Sequence, residues 1–129
     1  MTHSSLAIIV CGGRDFTDAD SVKAALDRLL PRLALVITGG ARGADSLAAA
    51  WADSVGVASI VMPADWANEG RAAGPRRNQR MLDRLLEVQR VGPIALAQKG
   101  VVAFPGGIGT SHMIRIATAA AVRVWQPLA

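Results

Sequence analysis

A chain of 129 residues, 51% of them apolar, suits one domain with a proper core, and its apolar runs are strand-sized, which excludes a helical membrane span. The net charge of +4 favours anionic partners, whereas three Trp, two Phe and no Tyr argue against a single-strand binder built on stacked rings. The single cysteine, Cys11, excludes an internal disulfide, and the N-terminal "MTHSSLAIIVCGG" has no basic n-region or cleavage site, so a cytoplasmic protein is expected.

Strand and helix patterns alternate along the chain. After a tail in which His3 is expected to be disordered, "LAIIV" (6–10) reads as a first strand. A helix follows, with Thr17 or Asp18 as N-cap, Val22, Leu26, Leu29 and Leu30 on one face, and Pro31 as its stop. "LALVI" (33–37) is the second strand. A second helix after Asp45 carries Leu47, Ala48, Trp51 and Val55 as a stripe and closes at Gly56. "ASIVM" (58–62) reads as a buried third strand. From about Pro75 a third helix turns Met81, Leu82, Leu85 and Leu86 inward and its arginines outward. Residues 87–100 fit a loop, a short extra helix or an oligomer contact, with the apolar "GPIALA" (92–97) contributing to an expected homo-oligomer. "GVVAF" (100–104) is the fourth strand. The last helix, starting near Thr110 or Ser111, is expected to bury Ile114, Ala117 and Ala121, and "AVRVW" (121–125) is a weaker fifth strand. This alternation predicts one α/β domain over 1–129, a Rossmann-like doubly wound parallel sheet of order 3-2-1-4-5 with helices on both faces.

Glycine-rich turns follow three of the strands: "CGGRDF", "TGGARGAD" and "PGGIGT". In a parallel sheet these turns share the C-terminal edge, where ligands bind, and each leads towards a helix N-terminus that favours an anion. A single glycine there serves a tight turn equally well; three double-glycine turns on one edge are harder to explain by packing alone. The expected ligand-binding set is Gly12, Gly13 and Arg14 in the first turn and Thr38, Gly39, Gly40, Arg42, Gly43 and Asp45 in the second. Pro105, Gly106, Gly107, Gly109, Thr110 and Ser111 complete it in the third. No "GK" occurs, so there is no P-loop, and "TGG" stands where a dinucleotide fold places its ribose-binding acid.

A basic cluster lies between the second and third turns. Arg71, Arg76, Arg77, Arg80, Arg84 and Arg90 fall within twenty residues that hold two acids. Spacing puts Arg77 and Arg80 on one helix face towards the crevice, and Arg76 and Arg84 towards solvent. Asn78 has donors and an acceptor for a base or ribose, and Trp66 in "ADWANEG" is placed to stack on an adenine or close the site. Trp51 belongs to the core, Trp125 to core or interface, and Cys11 reads as a buried structural thiol. No residue spacing indicates a metal site, and no cofactor is expected.

"GGRDF", "TGGARGAD", "PADW…GRAAGPRRNQRML" and "VVAFPGGIGT", in that order, resemble the SLOG superfamily across nearly the whole chain. That nucleotide-binding fold is shared by the DNA-processing protein DprA/SMF and the LOG-type cytokinin-activating phosphoribohydrolases. Within it the chain is most similar to the small YspA-like, cpYpsA-related branch of bacterial and phage genomes. The resemblance implies that the glycine turns hold the phosphate of a nucleotide or an ADP-ribose-like ligand. In LOG-type enzymes two residues and a glutamate follow "PGGxGT", and an arginine faces the scissile bond; here the arginine matches Arg77, but the glutamate falls on Met113. A thioether performs no acid–base step. Asp15 and His112 are the candidate replacements, with Asp45, Asp65 and Glu69 as further carboxylates near the edge. The expected function is therefore nucleotide capture by a binding module or sensor. An N-glycosidic hydrolase is the alternative, and a DprA-like single-strand binder ranks last.

Overall fold

Short runs rich in Leu, Ile and Val extend because their branched side chains fit a pleated, doubly covered surface. In the computed structural model, which describes residues 5–129, they form β1 (Leu6–Cys11), β2 (Leu33–Thr38), β3 (Ala58–Val61), β6 (Gln98–Ala103) and β7 (Arg123–Trp125). His3 lies outside the described residues. These strands build one five-stranded sheet of order β3-β2-β1-β6-β7, and every pairing is parallel. The expected order thus holds, with a small antiparallel hairpin, β4 (Arg90–Val91) and β5 (Ile94–Ala95), inserted before the fourth sheet strand. That hairpin occupies the middle of the undecided stretch 87–100, whose ends belong to the preceding helix and to β6, and Leu96 just after it packs against the core.

Side chains alternate between two apolar layers. Ile8, Val10, Val36 and Val102 meet Val22, Leu26, Ala48 and Trp51 of α1 (Ala19–Leu29) and α2 (Ala44–Val55) on one face. Ile9, Leu35, Ile37 and Val101 meet Met81, Leu82, Leu85, Met113 and Ala117 of α4 (Ala73–Glu87) and α5 (Ile108–Ala119) on the other. Asp18 caps α1 by accepting from the Ser21 N–H at 3.0 Å, and Gly56 ends α2 in the left-handed conformation at φ 75°. Trp51 is in the core, its indole N–H donating to Asp27 at 2.9 Å.

Four expectations fail for identifiable reasons. β3 is an edge strand, not a buried one, and Val61 is 50% exposed because only β2 pairs with it. Val55 and Leu86 sit in the last turns of their helices and are exposed. The last helix begins at Ile108, two residues before the expected start, so Thr110 and Ser111 lie inside its first turn. Ala121 lies beyond that helix, exposed, at φ 59°, so it buries nothing.

α1 and α2 follow β1 and β2 on one face; the chain then crosses through α4 to β6 on the other. The sheet order therefore reverses between β1 and β6, whose C-terminal residues Cys11 and Ala103 stand opposite each other. Beyond them the two segments stay zipped: Phe104 N–H donates to Cys11 O at 2.9 Å and Gly13 N–H to Pro105 O at 2.8 Å. At such a switch point the diverging helices leave a crevice.

Candidate functional site

The three glycine turns meet at this crevice, backbone against backbone. A Cβ at Gly12 would lie 2.6 Å from Ala44 Cβ, and one at Gly13 3.0 Å from Pro105 O. Gly43, at φ 82°, sits on the carbonyls of Gly13 and Arg14, and Ala44 N–H donates to Gly13 O at 3.2 Å. A Cβ at Gly106 would stand 2.7 Å from Gly13 N and collide with Thr110. Close approach of loops thus explains these glycines. Gly107 and Gly109 differ: a Cβ at either would meet nothing within 4 Å.

The turns also differ in which amides remain available. In the second turn Asp45 reaches back from α2, its carboxylate accepting from Gly39 N–H at 3.1 Å and Ala41 N–H at 3.3 Å. Those amides, with that of Ala44, are already paired. In the third turn helix geometry leaves the N–H groups of Ile108, Gly109 and Thr110 without intrahelical partners, and no side chain caps them. The α5 N-terminus is therefore anion-ready, with Thr110 and Ser111 in its first turn; α2 also starts without a side-chain cap, but its Ala44 amide is taken by Gly13 O.

A cleft of about 1020 Å³ opens over it. Gly12, Gly13, Arg14, Asp45, Trp66, Arg77, Asn78, Gly106, Gly107, Gly109, Thr110, Ser111 and His112 line it. Arg71 and Arg115 join them, unassigned from sequence, although Arg71 belongs to the basic cluster and Arg115 lies one turn after Ser111. Thr38, Gly39, Gly40, Arg42, Gly43 and Pro105 lie behind or beside the lining. Thr38 is fully buried, and its hydroxyl has no hydrogen-bond partner among the described residues. Arg42 turns outward to Asp15 at 3.1 Å, an exposed pair outside the cleft lining. A second groove, about 680 Å³, lies over β1, β6 and β7, is lined by Leu29, Arg32, Arg123 and Trp125 among others, and contains none of the turns.

Polar contacts tie α4 to both flanking turns. Arg77 donates from Nη1 to Gly39 O at 2.6 Å and from Nε to Asn78 Oδ1 at 3.2 Å. The buried Asn78 Nδ2 donates to Gly109 O at 3.1 Å and faces His112 Nδ1 at 3.0 Å. Since Asn78 Oδ1 already accepts from Arg77, its amide orientation is fixed, and His112 Nδ1 accepts. The neutral imidazole then carries its proton on Nε2. Burial, with the charge of Arg115 adding to it, pushes the His112 pKa down and favours the neutral ring. Arg80 leaves the crevice, contrary to its spacing with Arg77: Glu69 draws it and Arg76 to the surface at 3.0 and 3.3 Å.

Electrostatically the lining is basic around one buried acid. Burial raises the Asp45 pKa, against the hydrogen bonds from Ala41 and Gly39 and the charge of Arg77. Burial likewise lowers that of Arg77, opposed by Asp45. Cys11 lies at the buried base of the cleft lining, where burial and then Asp45 push its thiol up to about 12, which disfavours the thiolate a nucleophile needs. Met113 is fully buried under α4, so its position faces the core and not the cleft. No group of His, Cys, Asp and Glu among the described residues has metal-binding geometry. No helix among them is long and apolar enough to cross a membrane.

Comparison with known proteins gives two findings. Residues 6–68, which hold the first two turns and reach past Trp66, match the family described as YspA, cpYpsA-related SLOG family. Over 127 residues the chain is 33% identical to the Gene 61 protein of Mycobacterium phage D29, with 91% of this chain and 92% of that relative covered.

Proposed function

The chain belongs to the YspA, cpYpsA-related SLOG family, and from that premise we propose that it is a binding module for a nucleotide or nucleotide-derived ligand, a nucleoside monophosphate or an ADP-ribose-like molecule. The observation that carries this reading is the uncapped start of α5. Its free amides, with no side chain at Gly107 or Gly109, lie on a cleft that Arg14, Arg71, Arg77 and Arg115 also line. A phosphoryl group there accepts from the Ile108, Gly109 and Thr110 amides and from the hydroxyls of Thr110 and Ser111. The arginines supply the countercharge.

Hydrolysis of an N-glycosidic bond fits less well. Met113 is in the core, Asp15 is paired with Arg42 outside the cleft lining, and Asp45 is occupied by two backbone amides. A chain with a single cysteine builds no internal disulfide and fits a reducing compartment, so we assign the module to the cytoplasm. The test is calorimetric titration with AMP, ADP-ribose and inorganic pyrophosphate, with chromatography for released base. The reading expects saturable one-site binding of a nucleotide, competition by pyrophosphate and no steady base release. Absence of binding at millimolar concentrations refutes it.

A further inference from the structure

Trp66 is 48% exposed in a chain whose other two tryptophans are packed, and its position is specified from both sides. Asp65 caps the short helix α3 (Trp66–Glu69) by accepting from Asn68 N–H at 3.3 Å. On α4, Gly74 leaves the space the indole needs: a Cβ there would lie 3.1 Å from Trp66 Cη2 and 3.7 Å from Cζ2. The open face of the ring is covered by the guanidinium of Arg14, whose Cζ is 5.2 Å from the ring centroid. Arg14 is itself exposed, and it follows Gly13, which is hydrogen-bonded to the third turn.

We infer that Trp66 is the stacking platform for the base of the ligand, and that Arg14 exchanges the ring face for the phosphate when a base enters. Geometry, charge and chemistry support this together. The same cleft is lined by Trp66, Gly74, Arg14 and the α5 N-terminus, so one ligand with an aromatic ring and an anion spans both ends. A planar, weakly hydrated guanidinium on an indole occupies the place a purine would take. An exposed cation–π contact is weak, whereas a guanidinium on a phosphate makes charge-assisted hydrogen bonds, so the exchange favours a ligand that brings both groups. Recognition through a π face discriminates between ligands with and without a base, and only weakly between bases.

The inference rests on the proposed nucleotide site, and the experiment separates the two. Calorimetry with AMP and with ribose 5-phosphate, which lacks the base, is run on the wild type, Trp66→Ala and Trp66→Phe, with circular dichroism to confirm folding. The wild type is expected to bind AMP about tenfold more tightly than ribose 5-phosphate. Trp66→Ala should bring that ratio close to one by weakening AMP binding, and Trp66→Phe should restore most of it. If Trp66→Ala preserves the ratio, or the wild type shows none, the platform is refuted while phosphate capture stands. If the wild type binds neither compound, both are refuted.

Discussion

Removing the Asp45 carboxylate tests how the second glycine turn is held. Asp45→Ala leaves the Gly39 and Ala41 N–H groups without their acceptor, and Asp45 is 6% exposed. A buried unpaired donor costs about 1–3 kcal/mol. The substitution also removes an acid that burial penalises, so we expect a net loss of about 2–3 kcal/mol. The unfolding entropy of a chain this size is about 0.27 kcal/mol per kelvin, which converts that loss to a Tm drop of about 7–11 °C. Asp45→Asn keeps an acceptor oxygen and should lose less. The pH dependence has a definite sign. Because burial raises the folded pKa of Asp45 above its ordinary value of 3.8, the folded state holds the proton more tightly than the unfolded one. That contribution to stability is complete below 3.8 and is lost as pH rises through the raised folded value. Asp45→Asn cannot titrate, so its Tm should improve relative to wild type over that window. Thermal melts of the three proteins from about pH 3.5 to about 7 measure both effects. An Asp45→Ala melt within about 2 °C of wild type, or a pH-independent difference for Asp45→Asn, refutes this role.

Gly106→Ala forces a methyl group against Thr110 and Gly13 and should cost about 1–3 kcal/mol, whereas Gly107→Ala meets nothing and should leave the melt within about 2 °C of wild type. Thr38→Val replaces an unpartnered buried hydroxyl with a methyl of similar shape; denaturant melts should show equal or greater stability, by up to about 1 kcal/mol. The Cys11 thiol should resist a disulfide reagent at about pH 8 in the folded protein and react promptly in denaturant.

Patterns within one element were legible from sequence. The alternation of apolar runs and helical stripes is enough for the sheet order, because right-handed crossovers leave few alternatives. Trp51, Gly56 and the meeting of the three turns follow from local spacing and from strand polarity. What depends on a partner from another element was not legible. Arg77 and Arg80 share a face by spacing, but Glu69 of α3 pulls only Arg80 away. The availability of amides in the second turn depends on Asp45 folding back on it, whereas the sequence places Asp45 in the ligand-binding set. Asn78 linking Arg77 to His112 depends on α4 packing beside α5. β3 has the apolar character of a buried strand, yet its place at the end of the sheet exposes it.

The most direct test of the central claim is a titration of the isotope-labelled protein with AMP, following each backbone amide by NMR. Binding at the start of α5 should shift the Ile108, Gly109 and Thr110 amides strongly, while those of Gly39 and Ala41, held by Asp45, move little. Shifts confined to the groove around Arg32 and Arg123, or spread evenly over exposed arginine-bearing segments, would contradict it.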